Sequence, residues 1–191
     1  MTPAVFLDRD GTLIEDVGYL DRVERLVIYP WSIDAVRLLN RAGFHVVIIT
    51  NQAGVARGFF KETFLAEIHG EIGSRFKAGG ARLDGFYYCP HHPDAPIEQY
   101  RQLCDCRKPA PGLVRKASDE LSLDLARSFV IGDRWLDVRL ARAVGAGSIL
   151  VRTGYGRTEE ANGPSDLRAD HVAENLVEAV SWILQHTPHH G

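Results

Sequence analysis

The chain has 191 residues, a length typical of one domain with a substantial core. Its 22 Lys and Arg residues against 25 Asp and Glu residues give a formal net charge of −3, and no basic block is present that would follow a nucleic-acid backbone. Apolar runs such as 46–49 and 148–151 are much shorter than the roughly 18 residues that a membrane span requires. We therefore expect a single domain over residues 1–191, with neither nucleic acid nor a membrane as a partner.

Strand-like runs alternate with helical patterns along the chain, which is typical of a parallel sheet flanked by helices. In the first half, the strand runs are 5–7, 44–49 and 83–88, and the helical patterns are 32–41 and 61–77. In the second half, the pattern predicts strands at 129–131 and 148–151. It predicts helices that begin near 111 and that span 136–144 and 174–185. We interpret 153–170 as a long loop and 189–191 as a frayed tail. The order predicts an α/β fold with a three-layer, Rossmann-like parallel sheet.

Polar side chains follow several of the predicted strands. Asp8 and Asp10 come after the first strand, Thr50 ends the second, Asp133 follows a later one, and Lys108 lies in a loop just before a helix. Open parallel sheets bind ligands outside the carboxyl ends of their strands, so we expect these side chains to meet. Phosphoryl transfer needs a nucleophile, a proton carrier, a cation and donors that hold the transferring oxygens. These residues could supply all four.

We interpret Asp8 as the nucleophile that forms an aspartyl-phosphate, and Asp10 as the acid that protonates the leaving alkoxide and then activates water. Thr50 and Lys108 would hold the phosphoryl oxygens. Asp133, Asp8 and the backbone carbonyl of Asp10 would bind magnesium through oxygen ligands.

Each of these residues alone also has a purely structural interpretation. Thr50 could cap a turn, Asp133 could cap the following helix, and Lys108 could be a solvated surface charge. Their order along the chain favours the functional interpretation. Asp137, one helical turn after Asp133, is expected to support the site more than to bind the metal directly.

Three cysteines lie between residues 89 and 106. Cys89 and His91, then Cys104 and Cys106, form two close pairs that suit tetrahedral zinc, with His92 as the alternative fourth ligand. Because no coordination position would stay open, the zinc would be structural, and the 89–106 zinc loop would deliver Arg107 and Lys108 to the site. The histidines without such partners are expected to pack in the core or on the surface; they are His45, His69 and His171.

The odd cysteine count also argues against a disulfide framework. The N-terminus lacks the basic start and apolar stretch of a signal peptide. Both observations favour a cytoplasmic location.

The motifs Asp8-Arg9-Asp10-Gly11-Thr12, Thr50-Asn51-Gln52, Lys108-Pro109 and Gly132-Asp133 resemble the four motifs of the haloacid dehalogenase superfamily. The phosphatase branch of that superfamily uses the chemistry described above. Only 41 residues separate Asp8 from Thr50, and much of that span is one helix, so we expect no large cap domain. The site would be open and shaped by the 16–25 loop and the zinc loop.

Within this superfamily, Cys89-Pro90-His91-His92-Pro93 and Cys104-Asp105-Cys106-Arg107-Lys108-Pro109 are similar to the D-glycero-D-manno-heptose 1,7-bisphosphate 7-phosphatases. The resemblance implies hydrolysis of the C7 phosphate, magnesium and zinc as cofactors, and a product that feeds the heptose of lipopolysaccharide or glycoprotein. It implies Asp8, Asp10 and Asp133 as magnesium ligands and Arg107 as a substrate-recognition residue. It further implies sugar-bisphosphate contacts from Asp16, Gly18, Tyr19, Asn51, Gln52, Ala53 and Arg134.

Two alternatives stay open at this point. The same cysteine and histidine arrangement resembles the histidinol-phosphate phosphatases, which share the chemistry but bind a different substrate. The second alternative is a catalytically silent phosphosugar-binding module on the same fold, although the intact Asp10 argues against it. We expect a small phosphorylated sugar as the partner, and a monomer.

Overall fold

The computed structural model describes residues 1–187, so the frayed tail predicted at 189–191 lies outside the described part. Its centre is a six-stranded parallel sheet in the order β3-β2-β1-β4-β5-β6. The strands are β1 (Ala4–Leu7), β2 (His45–Asn51), β3 (Gly85–Cys89), β4 (Phe129–Gly132), β5 (Gly147–Val151) and β6 (His171–Ala173). The strand order reverses between β1 and β4, which is where sheets of this type bind ligands.

Helices cover both faces of the sheet. They are α1 (Ser32–Arg41), α2 (Ala53–Ala56), α3 (Glu62–Ala78), α4 (Gly112–Leu121), α5 (Trp135–Val144), α6 (Gly156–Ala161) and α7 (Leu176–His186). Short 3₁₀ turns occupy Val23–Arg25, Glu98–Tyr100 and Leu125–Arg127. No helix in residues 1–187 combines the length and the apolar character needed to cross a bilayer.

The core consists of two main clusters, one on each face of the sheet. Alternate residues of β1 point to opposite faces, so that Val5 and Leu7 join the cluster under α1, α3 and α7. Ala4 and Phe6 join the cluster under α4 and α5. Because both faces are buried, β1 is apolar at every position, as parallel strands commonly are. The predicted three-layer α/β fold is confirmed.

The interpretation of 153–170 as a loop is wrong in part, because this stretch contains α6 and leads into a further strand, β6. Tertiary contacts hold α6: the Glu159 carboxylate accepts a hydrogen bond from Trp135 N at 2.9 Å, and Glu160 pairs with Arg152 at 2.6 Å. A six-residue helix has little stability of its own, so its sequence carries only a weak periodic signal. The sequence pattern also gives no clear signal for β6 and α2, because these elements have only three and four residues.

Candidate active site

A cleft of about 320 Å³ opens at the carboxyl ends of β1 and β2. All the residues predicted to act in catalysis or to contact substrate line it: Asp8, Asp10, Asp16, Gly18, Tyr19, Thr50, Asn51, Gln52, Ala53, Arg107, Lys108 and Arg134. Gly54, Leu136 and Tyr155, which the sequence motifs did not identify, line it as well. The topology brings these segments together because Asp8 directly follows β1, and its backbone N–H bonds to Ile131 O of β4 at 2.9 Å.

Lys108 forms two ion pairs at the floor of the cleft. Its Nζ lies 2.8 Å from Asp8 Oδ1 and 2.7 Å from Asp137 Oδ1, and its side chain is only 2% exposed. Burial lowers the pKa of the Lys108 amine, but attraction by Asp137 and Asp8 outweighs burial and leaves this pKa above its usual value. Lys108 therefore carries a permanent positive charge beside the predicted nucleophile. Asp137 has the supporting position that the sequence predicted for it.

The carboxylates of Asp8, Asp133 and Asp137 offer oxygens that all lie within 4.8 Å of one another. Asp133 Oδ2 accepts a hydrogen bond from Tyr155 N at 2.7 Å, whereas Asp133 Oδ1 and Asp137 Oδ2 are buried and have no partner. Burial and the neighbouring Asp8 charge raise the pKa of Asp133 to about 8. Unpartnered carboxylate oxygens are costly to bury, and a hard divalent cation would satisfy them. The carboxylates of Asp8 and Asp133 thus fit the predicted magnesium, and Asp137 lies beside them as the partner of Lys108.

Two glycines allow the backbone to close around Asp133. A Cβ atom on Gly11, where φ is +82°, would lie 2.3 Å from Asp133 Oδ2. A Cβ atom on Gly154, where φ is +54°, would lie 2.2 Å from the same oxygen. Thr153 Oγ1 donates to Gly11 O at 2.6 Å and joins the two segments. The stretch after β5, predicted only as a loop, therefore forms one wall around the Asp133 carboxylate.

Gln52 connects two of the predicted catalytic side chains. Its Nε2 donates to Asp10 Oδ2 and to Thr50 Oγ1, each at 2.8 Å. Neighbouring Asn51 binds the backbone of Lys108: its Oδ1 accepts from Lys108 N at 2.9 Å and its Nδ2 donates to Lys108 O at 3.1 Å. Both amides, predicted as substrate contacts, thus hold predicted catalytic residues in place through their side chains.

Charged and aromatic groups surround the mouth of the cleft. The Arg134 guanidinium lies 3.9 Å from the centre of the Tyr155 ring, and its Nη2 is 3.8 Å from Asp16 Oδ2. Burial raises the pKa of Asp16, although its carboxylate accepts a hydrogen bond from Gly18 N at 2.8 Å. Tyr155 belongs to none of the motifs. The one sequence feature that could have indicated it is its position as an aromatic residue between Gly154 and Gly156, shortly after a strand.

The four predicted zinc ligands form one cluster. The sulfurs of Cys89, Cys104 and Cys106 lie 3.1, 3.2 and 3.6 Å apart, and His91 Nδ1 is 3.2 Å from Cys106 Sγ. A tetrahedral site with bonds of about 2.3 Å has edges of about 3.8 Å, so the four donor atoms already surround one point at separations slightly shorter than those edges. His92, the alternative ligand, instead accepts a hydrogen bond from Asp94 N at 3.2 Å. The donor set fits zinc, and it contains His91 and not His92.

Arg107 connects this cluster to the cleft. Its Nη1 donates to His91 O at 3.2 Å, and its side chain is among those that line the cleft. The cysteine sulfurs also pack against the core cluster under α4 and α5. The zinc loop therefore rests on the sheet and reaches the mouth of the site through one arginine.

Comparison with known proteins gives a consistent result. A model of the HAD-hydrolase-like family matches residues 105–179. The D-glycero-beta-D-manno-heptose-1,7-bisphosphate 7-phosphatase of Escherichia coli O6:H1 is 42% identical over 179 residues, which cover 93% of this chain and 94% of that protein. The enzyme of the same name from Vibrio cholerae is 40% identical and covers 96% of this chain and 97% of its own.

A solved structure agrees with these relatives. The D,D-heptose 1,7-bisphosphate phosphatase of B. bronchiseptica, complexed with magnesium and phosphate, superposes with a TM-score of 0.84 at 33% identity. The match covers 97% of this chain and 99% of that one. The corresponding enzyme from Burkholderia thailandensis gives a TM-score of 0.70 at 27% identity, covering 95% of this chain and 98% of that one.

Proposed function

The chain belongs to the D-glycero-beta-D-manno-heptose-1,7-bisphosphate 7-phosphatase family of HAD-like hydrolases, and from this membership we propose that it hydrolyses the C7 phosphate of that sugar bisphosphate. One observation carries the proposal within the structure. The buried, charged Lys108 pairs with Asp8 beside carboxylate oxygens that have no partner. This arrangement suits a nucleophile that must receive a dianionic phosphoryl group.

Each of the predicted catalytic residues has a separate role in the proposed reaction. Asp8 attacks phosphorus in line and forms an aspartyl-phosphate, while Asp10 donates its proton to the leaving C7 oxygen. Asp10 then removes a proton from the water that hydrolyses the intermediate. Lys108 and Thr50 hold the phosphoryl oxygens throughout, and the ion pair with Asp137 keeps the Lys108 amine in position.

Magnesium, held by Asp8, Asp133 and the backbone carbonyl of Asp10, would supply positive charge to the transferring oxygens. The magnesium in the B. bronchiseptica structure supports this cofactor. The unpartnered Asp133 Oδ1 supports it independently. We assign zinc a structural role at Cys89, His91, Cys104 and Cys106.

The second phosphate of the substrate would meet the positive side chains at the mouth, Arg107 and Arg134. Around the sugar we assign contacts to the remaining predicted residues, which are Asp16, Gly18, Tyr19, Asn51, Gln52 and Ala53. The chain would act as a single-domain monomer in the cytoplasm. Its product would serve lipopolysaccharide or glycoprotein synthesis.

Phosphate release tests the substrate. Purified protein with magnesium is given both anomers of D-glycero-D-manno-heptose 1,7-bisphosphate, other sugar bisphosphates and histidinol phosphate in parallel. We expect the heptose bisphosphate to give the highest kcat/KM, and phosphorus NMR to show that the C1 phosphate remains on the product. Preference for histidinol phosphate, or loss of the C1 phosphate first, would overturn the substrate assignment. An absence of turnover with every ester would overturn the enzymatic function.

A further inference from the structure

We infer that Arg9 and His69 are positioning residues that hold the carboxylate of Asp10 for proton transfer. The inference rests on the proposed function in one respect, namely that Asp10 carries the proton. It gives a role to a buried arginine and a buried histidine that the reaction otherwise leaves unused.

Arg9 lies behind Asp10 and is almost completely enclosed, with 2% of its side chain exposed. Its Nε donates to Asp10 Oδ2 at 3.0 Å, and its Nη2 donates to Asp10 Oδ1 at 2.9 Å. The planar guanidinium therefore binds both carboxylate oxygens, a geometry that a lysine ammonium cannot reproduce. With the Gln52 amide on Oδ2, the carboxylate is fixed in rotation as well as in position.

His69 of α3 holds the other side of this guanidinium. Arg9 Nη1 lies 3.3 Å from His69 Nε2. Arginine has only donors, so Nε2 must accept, which requires a neutral imidazole with its proton on Nδ1. Burial and then the Arg9 charge lower the pKa of His69 to about 3, so the ring stays neutral at physiological pH.

The imidazole packs against two aromatic rings of the same strand, β3. Its ring stacks on Phe86 of β3 with centroids 4.8 Å apart and an interplanar angle of 20°. It also meets the Tyr88 ring, at 5.8 Å and 60°. The sequence expectation that His69 only packs in the core is therefore incomplete, because its Nε2 fixes Arg9. A chain of contacts runs from the edge strand β3 through His69 and Arg9 to the proton carrier.

A leaving-group comparison tests the inference. p-Nitrophenyl phosphate releases a stable anion that needs little protonation, whereas an alkyl phosphate such as glycerol 1-phosphate or the heptose bisphosphate depends on the acid. The measured quantity is kcat/KM, which covers the steps up to the first P–O cleavage. We expect Arg9→Lys to lower kcat/KM for alkyl esters roughly 10- to 100-fold while p-nitrophenyl phosphate stays within about threefold.

Variants of His69 separate positioning from packing. His69→Leu should show the same selective loss at about 10-fold, and His69→Gln, whose amide oxygen can accept from Arg9, should recover to within about threefold of the parent. Tyr88→Phe removes a neighbouring hydroxyl that bonds to Glu62 and serves as the matched control with unchanged rates. Thermal melts identify any variant that fails to fold. If His69→Leu fails to fold, the inference is judged from the rates of the two conservative variants, Arg9→Lys and His69→Gln.

An equal loss for both classes of ester, or unchanged alkyl-ester rates in Arg9→Lys, would overturn the inference. Its failure is distinguishable from failure of the proposed substrate. A parent protein that hydrolyses p-nitrophenyl and glycerol phosphates but not the heptose bisphosphate refutes only the substrate. A parent that hydrolyses no ester refutes the proposed chemistry and the inference together.

Discussion

Substitution of Asp133 by Asn should stabilise the metal-free protein, although it removes a predicted magnesium ligand. Burial and the Asp8 charge raise the pKa of Asp133 from 3.8 to about 8, so the folded state resists ionisation of this group. Between pH 3.8 and about pH 8, the carboxyl group of Asp133 loses its proton in the unfolded chain but keeps it in the folded protein. Wild-type stability therefore falls as pH rises through this window. Asparagine has no proton to lose in this pH range, so it avoids the cost of burying a charge. Its amide nitrogen can take the position of Asp133 Oδ1, the oxygen that has no hydrogen-bond partner.

The size of the effect follows from the two pKa values. Each pH unit in the window costs the wild type about 1.4 kcal/mol, so the full difference between the two pKa values corresponds to an upper bound of roughly 6 kcal/mol. The advantage of Asp133→Asn should be close to zero at pH 4. It should reach several kcal/mol by pH 8.

Urea unfolding at pH 5 and pH 8, in buffers free of magnesium and of chelators, measures this difference without removing metal from the cysteine cluster. Asp119→Asn, at an exposed position of α4, is the matched control and should show no pH-dependent gain. Added magnesium should stabilise the wild type by mass action and the Asp133→Asn variant far less. A variant less stable than the wild type at pH 8 without magnesium, or a difference that does not change with pH, would refute the reasoning.

Three further predictions test the site. Asp10→Asn should lower kcat roughly 100- to 10,000-fold while magnesium still stabilises the protein, and near-normal turnover would contradict the proton role. Metal analysis should find about one zinc per chain; His91→Ala should lose it and His92→Ala should keep it, and the reverse result would identify His92 as the ligand. Gly154→Ala should weaken magnesium binding, because its Cβ would lie 2.2 Å from a carboxylate oxygen of the cation site. Gly145→Ala, at φ +73° with nothing within 4 Å, should cost about 1–2 kcal/mol of stability and leave magnesium affinity unchanged.

The sequence predicted the parts of the fold and site that depend on local patterns. The bounds of α1 at 32 and 41 were confirmed, because Pro30 and Gly43 flank a clear helical period. The catalytic side chains could be found because parallel topology brings the carboxyl ends of neighbouring strands together, whatever their separation in sequence. Likewise, the short spacings within the cysteine region limited its ligands to a few choices.

The remaining features depend on contacts that leave no local pattern. Helix α6 is held by Trp135 and Arg152, which lie outside its sequence. Tyr155 is held at the cleft by the hydrogen bond from its backbone N–H to Asp133 Oδ2, which is distant in sequence. His69 occupies an ordinary helical position, and nothing near it in sequence indicates that its Nε2 meets Arg9 across the fold.

The two basic residues that follow Cys106 are attached to the protein by different means. Asn51 holds the Lys108 backbone and two buried ion pairs hold its amine, so Lys108, which the sequence predicts to be delivered by the zinc loop, has anchors of its own outside the cysteine cluster. Arg107 is bonded to the carbonyl of His91, a residue of that cluster. If the cluster holds zinc as proposed, loss of that metal should impair discrimination between esters before it impairs bond cleavage. A zinc-depleted enzyme would become a less selective phosphatase instead of an inactive one.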